Sequence, residues 1–528
     1  MGFSELLHTI GGMGNFQILQ TALIMFPAIL ITCHNFLQNF TAMTPEHHCR
    51  PVNWTNGSQV PGGVRDGDLL RVFIPLDKDQ KPERCLRFSE PHWQILNLNG
   101  TSSLNLDTEG CLDGWVYDQS VDSSIVSEWD LVCEHKSLKS IAQSIYMTGQ
   151  LVGAITFGIF SDRLAFTLSP QCPRRLKNPL EKTLPSLPPS MLDLSSLAME
   201  WTPTQRRTLV NTYAMYMITL GQVILSGLAY FIRQWRWLQG TVSVTYVIIL
   251  LYSWGLPESA CWLVTHNKLD MAVKNLQAVA RLNGRKEQGR KLTPEVVSFH
   301  MQEDTAAVKE SPFFLDLFRT PGLCKVTCCI ALGWFSAGFS FYGLALDVQK
   351  FGFNIYWVQM LFTVMDLPTK LLAGLSMGYF GRRITVVSLL LLASCMILVT
   401  TFVPQGEMIL CLFGKGSLAG CFTCLYLYTM ELFPTEIRQI GMSAGIFSTR
   451  LGSLLAPLIY ILGSHSPVLQ PVMFGLMPIL AAIAASFLTE TNNQPLLDTI
   501  QETEKREREH KQGEQQRERE KLPTEQGA

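Results

Sequence analysis

Ten apolar stretches, each about as long as a bilayer-crossing helix, recur along this chain: 16–36, 139–160, 208–231, 237–255, 325–346, 355–379, 384–402, 408–429, 442–463 and 469–489. Runs of about 18 or more apolar residues belong in lipid, where a helix that satisfies its own backbone is one of the two structures able to span. The fold class is therefore an all-α membrane protein. Charged residues are only 16% of the 528, below the roughly 25% of soluble domains. A net charge of -1 gives no reason to expect a nucleic-acid partner. The first run begins near Phe16, is too long for a signal peptide and has no small-residue cleavage site after it, so no cleaved leader is expected.

Sidedness follows from the loop 37–138. It holds Cys49, Cys85, Cys111 and Cys133 together with the sequons that begin at Asn53, Asn56 and Asn99. Four cysteines among glycosylation acceptors describe an extracellular, disulfide-stapled loop, with three pairings possible. A further sequon at Asn39 sits too close to the membrane for ready modification. Orientation then alternates along the chain. The basic residues Arg163, Arg174, Arg175, Arg206 and Arg207 fall on the cytoplasmic side, as do Arg281, Arg285, Lys286, Arg290, Lys291, Arg382 and Arg383. That is the positive-inside pattern. The expected layout is a cytoplasmic N-terminus and first helix (1–36), the outer loop (37–138) and the rest of the first transmembrane half (139–255). A cytoplasmic loop (256–324), the second half (325–489) and a charged cytoplasmic tail (490–528) follow.

The chain also repeats itself. Glu200, Pro203 and Arg207 recur as Glu431, Pro434 and Arg438 at an offset of 231 residues, and Glu258 recurs as Glu490 at 232. Parallel halves related by an axis along the membrane normal define the major facilitator architecture. One interval breaks the repeat: Gly158 to Arg163 matches Gly378 to Arg383 at an offset of only 220. Residues 164–199 hold Pro170, Pro173, Pro179, Pro185, Pro188 and Pro189 and no run able to span, where the second half fits two helices. The expectation is two pseudo-symmetric halves with two helices of the first half missing.

Several motifs together resemble the organic anion transporters of solute carrier family 22. They are Gly11-Gly12-Met13-Gly14, the run His34 to Thr41, Asp113-Gly114-Trp115-Val116-Tyr117, Glu128 to Cys133, Pro257-Glu258-Ser259 and Glu431 to Gln439. The resemblance covers roughly 1–163 and 200–500 and implies twelve helices around a central cavity, so that the missing pair would be family helices 3 and 4.

Charges inside membrane spans are costly and therefore suspect as functional. Arg450 lies about eight residues into its span, or roughly 12 Å from the cytoplasmic end at the helical rise, with no acid within a turn. Lys370 lies at similar depth, but Asp366 four residues earlier is a competing partner. Lys415, Phe422 and Tyr426 share one helical face, an arrangement suited to an aromatic carboxylate. The resemblance adds Phe341, Tyr342, Tyr216 and Asn35 as pocket positions. It also matches Arg450 and Lys370 to the anion-carrying branch; the cation carriers have an acid at the position of Arg450. It further implies a gating role at helix ends for Asp162, Arg163, Glu200, Arg207, Glu258, Arg382, Arg383, Glu431, Arg438 and Glu490.

No phosphate-binding loop, His-Glu-x-x-His or Gly-x-Ser-x-Gly motif is present, so neither enzyme nor ATP-driven pump is expected. No cofactor or metal is expected either. The expected function is secondary transport of small organic anions across the plasma membrane, with the resemblance implying exchange against a counter-anion such as a dicarboxylate. The alternative is a non-transporting variant, retained in the endoplasmic reticulum or modulating a full-length partner. Organic cation transport is disfavoured by Arg450 and Lys370.

Overall fold

The computed structural model describes residues 8–12, 14–51, 66–77, 81–92, 107–118, 123–167, 207–253, 263–264, 268–299, 314–346, 348–403, 406–434, 437–463, 466, 468–492, 500–501 and 504. The first half contributes helices α1 (Asn15–Thr41), α2 (Lys136–Thr167), α3 (Arg207–Phe231) and α4 (Trp235–Ser253). A helix between the halves, α5 (Leu269–Leu282), lies outside the apolar set. The second half contributes α6 (Pro321–Leu346), α7 (Ile355–Val364), α8 (Asp366–Tyr379), α9 (Arg382–Val399), α10 (Glu407–Leu432), α11 (Arg438–Gly463) and α12 (Leu469–Ser486). Among the described residues eight helical segments are long and apolar enough to cross a membrane. Helices α2 and α4 lie where spans 139–160 and 237–255 were expected. The segment 164–199 falls almost wholly outside the described residues.

Small residues bring the helices close, as lipid-immersed packing requires. A Cβ added at Gly338 of α6 would lie 2.6 Å from the Thr449 carbonyl of α11, and one at Gly452 would collide with the Phe335 carbonyl. Helices α1 and α3 meet similarly: a Cβ at Gly221 would sit 2.6 Å from the Ile29 carbonyl, and Cys33 Sγ donates to the Gly221 carbonyl at 3.3 Å.

The expected span 355–379 is present as one membrane-capable stretch, Ile355–Tyr379, with its helix interrupted at Met365. Pro368 has no amide, and its ring conflicts with the carbonyl four residues earlier, that of Val364. Helix α7 therefore ends at Val364 and α8 begins at Asp366. This break frees main-chain groups inside the bundle, and the site below uses one of them.

The loop between α1 and α2 forms a cap of two antiparallel ribbons. Strand β1 (His47–Cys49) pairs with β4 (Trp115–Tyr117), and β2 (Leu86–Phe88) with β3 (Thr108–Gly110). Of the three possible disulfide patterns the structure has Cys49–Cys111 and Cys85–Cys133. At the centre Arg87, 4% exposed, donates to Glu109 at 2.8 Å, Asp113 at 2.6 Å and the Arg50 carbonyl at 3.1 Å. The sequon asparagine Asn39 is buried, donating to the Ala345 carbonyl at 2.7 Å and to Gln359 at 3.1 Å. Its amide is therefore closed to a glycan. Asn53, Asn56 and Asn99 lie outside the described residues.

Candidate functional site

The two halves meet at mid-depth through polar side chains on helices that are otherwise apolar. Arg450, near the middle of α11, donates from Nη1 to Gln150 Oε1 of α2 at 2.6 Å. That bond orients the Gln150 amide, whose Nε2 donates to Asn35 Oδ1 of α1 and to the Tyr146 hydroxyl, both at 2.6 Å. Asn35 in turn reaches back across the interface, its Nδ2 donating to the Tyr342 hydroxyl of α6 at 3.5 Å. Asn35, Tyr342 and Arg450 thus join one network, with Gln150 at its centre.

Lys370 makes the second crossing. Its ammonium donates to Thr219 Oγ1 at 2.7 Å and to the Met215 carbonyl at 3.0 Å, both on α3. Tyr216 follows Met215 directly and is partly buried. The expected competitor does not materialise: Asp366 pairs with Lys415 of α10, not with Lys370. Lys415 Nζ lies 2.9 and 3.0 Å from the two Asp366 oxygens and donates to the Phe362 carbonyl at 3.1 Å. Both side chains of the pair are 0% exposed. The helix break explains this choice. Asp366 opens α8, where the helix dipole favours an anion, and Phe362 has lost the amide partner that an unbroken helix would supply.

Lys415 therefore differs from the sequence expectation of a cation facing its own helix's rings. Its charge is neutralised by Asp366, and the ring beside it is Phe341 of α6, 5.0 Å from Nζ to centroid. Phe341 packs edge-on to Phe422 at 5.5 Å, and Trp334 lies 5.9 Å from Phe422 and 6.4 Å from Tyr426. Phe36 stacks on Tyr342 at 5.8 Å. Four of the aromatic residues read from the sequence gather, Phe341, Tyr342, Phe422 and Tyr426, while Tyr216 belongs to α3. The four form one cluster between α1, α6 and α10, with Trp334 and Phe36 as members that sequence spacing did not single out.

The helix-end charges of the second half also assemble. Arg382 Nη2 donates to Glu431 at 3.1 Å, and Thr491 Oγ1 donates to the same carboxylate at 2.6 Å. Glu490 accepts the amides of Arg382 at 2.8 Å and Arg383 at 3.0 Å, closing the N-terminus of α9. Gly381 before it has φ 94°, a left-handed conformation suited to glycine. Arg383 donates to the Leu488 carbonyl at 3.1 Å and Arg438 to that of Phe433 at 3.3 Å. These bonds join elements of one half to each other. The side chains of Asp162, Arg163 and Arg207, and residues Glu200 and Glu258, lie outside the described residues.

The two crossings are related by the sequence repeat. At the offset of 231, Arg450 corresponds to Thr219; at the offset of 220, Lys370 corresponds to Gln150. Each cation thus bonds the residue that is the counterpart of the other cation. Polar crossings at the midplane between repeat-related helices define a transporter of the major facilitator type.

Comparison with known proteins agrees. Residues 194–502 match the family described as Sugar (and other) transporter. Solute carrier family 22 member 20 of Mus musculus is 47% identical over 96% of this chain and 94% of its own length. Organic anion transporter 3 of Oryctolagus cuniculus is 43% identical, again over 96% and 94%. Among solved structures, the proton:xylose symporter XylE bound to 6-bromo-6-deoxy-D-glucose superposes with a TM-score of 0.54 at 14% identity, over 93% of this chain and 98% of that one. The chain belongs to solute carrier family 22, within the major facilitator superfamily, and is a transporter and not an enzyme.

Proposed function

We propose that this protein carries small organic anions, amphipathic or aromatic carboxylates, by alternating access and in exchange for a counter-anion such as a dicarboxylate. The carrying observation is Arg450. Its guanidinium sits at the junction of the halves, half-buried, with a neutral amide as its hydrogen-bond partner. Among the described residues no acid pairs with it. A planar fork of five N–H donors at a half-buried junction suits a carboxylate, and the rings joined to it through Gln150, Asn35 and Tyr342 suit an aromatic body. The names of relatives that include organic anion transporter 3 support the same substrate class.

In this proposal Arg450, Lys370, Tyr342, Phe341, Phe422, Tyr426, Tyr216 and Asn35 line the substrate path. Lys415 supports Phe341 from behind. The protein lies in the plasma membrane with a glycosylated outer cap and both termini in the cytoplasm. Uptake of a labelled aromatic carboxylate into cells, with surface biotinylation as control, tests transport. Acceleration of that uptake by preloaded dicarboxylate tests exchange. Surface-exposed protein that takes up no carboxylate would sink the proposal.

A second reading rests on the six prolines of 164–199. If that segment stays in the cytosol, the first half lacks a pair of helices and the chain is a weak or non-transporting variant. An epitope tag beside Pro179 that is reachable from outside intact cells would refute it.

A further inference from the structure

The stretch joining the halves folds into a small helical unit with its own core. Helix α5 turns Ala272, Val273, Leu276, Val279 and Ala280 inward against Ile10 and Phe16 of the N-terminal segment. Asn283, just past the helix, ties this unit to α1. Its Nδ2 donates to Gln17 Oε1 at 2.9 Å and to the Ile10 carbonyl at 3.2 Å, while its Oδ1 accepts from the Phe16 amide at 3.0 Å. A Cβ on Gly14 would collide with Asn283, so the tie needs glycine there. Phe16 is the second residue of α1. Asn283 is therefore held at the depth where a membrane-spanning helix begins.

The outward face of the unit at that depth is basic and apolar together. Lys274, Arg281, Arg285, Lys286 and Lys291 are exposed, and Arg290 is engaged by Glu287 at 3.5 Å. Asp270, Glu287 and Glu295 are the acids of the region, fewer than the bases. Among the basic residues Met271 is 49% and Leu282 60% exposed. A helix face that carries bases and bare apolar side chains, fixed level with a helix end, has the composition of an interfacial element. We propose that α5 and the turn to Lys291 dock on the anionic phospholipid headgroups of the adjacent leaflet. The ammonium and guanidinium groups meet phosphate and carboxylate, and Leu282 and Met271 enter the headgroup–acyl boundary. The proposal rests on the membrane topology, not on the identity of the substrate.

The full-length protein in nanodiscs of phosphatidylcholine, with and without phosphatidylserine, provides the test by hydrogen exchange over residues 269–291. Phosphatidylserine is expected to slow exchange there about tenfold, the size that one or two engaged basic side chains supply, and added salt should reverse it. Arg281→Glu with Arg285→Glu and Lys286→Glu should abolish the lipid effect and leave exchange in pure phosphatidylcholine unchanged. Where that variant fails to fold, Lys286→Ala with Lys291→Ala should halve the effect or more. Equal exchange in both discs would overturn the proposal, as would a lipid effect that survives charge reversal. An effect reproduced by soluble glycerophosphoserine would also overturn it. So would protection in phosphatidylcholine discs that vanishes when 505–528 are removed, which would give the face to the tail.

Discussion

Arg450 and Lys370 occupy corresponding contacts in a duplicated frame, yet the two contacts are not alike. Each is a cation of the second half bonded to a neutral group of the first, Gln150 in one case and Thr219 in the other. Lys370 is 8% exposed and has two acceptors within 3.0 Å. Arg450 is more open and shares one of its five N–H donors with Gln150. The lysine is thus a tether, largely satisfied by protein. The arginine retains hydrogen-bonding capacity facing the junction. Symmetry supplied two equivalent places, and the residue types made one a clasp and left the other the donors that the proposed function assigns to a substrate carboxylate.

Four experiments break or sharpen that comparison. Arg450→Asp is expected to abolish carboxylate uptake at normal surface expression, because a like charge then faces the anion. Unchanged dicarboxylate uptake by that variant would remove Arg450 from the site. Next in size, Lys415→Met strands the Asp366 carboxylate in the core and should cost about 3–5 kcal/mol of stability. The melting temperature in detergent reads this, and Lys415→Met with Asp366→Leu should recover most of it. A single variant that melts like the parent would show that the pair carries no structural weight.

Thr219→Val removes one acceptor from the Lys370 tether and should raise KM about fivefold, the scale of one hydrogen bond near 1 kcal/mol. An effect as large as that of Arg450→Asp would erase the distinction between the two contacts. The smallest effect concerns the cap. Burial pushes the His47 imidazole below its ordinary value of 6.5, opposed in part by its bond to the Pro45 carbonyl at 2.9 Å. The folded cap therefore resists protonation that the unfolded cap accepts. Its stability should be full above that value and fall as pH drops through it. Protection factors at 47–49 and 115–117, exchange rates corrected for the intrinsic pH dependence of amide exchange, should fall roughly severalfold from pH 7.5 to 5, and His47→Gln should flatten that response.

The broad architecture was legible because hydrophobic length and charge sidedness are direct consequences of lipid as a solvent. The repeat was legible because helix-end charges recur at fixed offsets. Arg450 and Lys370 stood out as charges where charge is costly. Their partners did not, since Gln150 and Thr219 are ordinary polar residues in a helix and carry no penalty large enough to attract notice. The i,i+4 rule offered Asp366 as a competing partner for Lys370, a rule that presumes an unbroken helix. Pro368 held the missing information: it turns Asp366 into a helix-opening residue aimed at Lys415, 49 positions away. Trp334, packed against Phe422 and donating to Thr429 at 3.0 Å, had no signal beyond being aromatic in an apolar run.

The disulfides of the cap interleave, with Cys85 lying between Cys49 and Cys111, and Cys111 between Cys85 and Cys133. During synthesis the chain emerges in order, so Cys49 and Cys85 are both present before either has its native partner. The first bond open to them is a wrong one, 36 residues around, and a loop of that size closes readily. Where that bond forms, native pairing requires its exchange once Cys111 and then Cys133, immediately ahead of α2, have arrived. An interleaved pair of bonds therefore makes maturation of the cap a matter of thiol–disulfide chemistry as well as of membrane insertion.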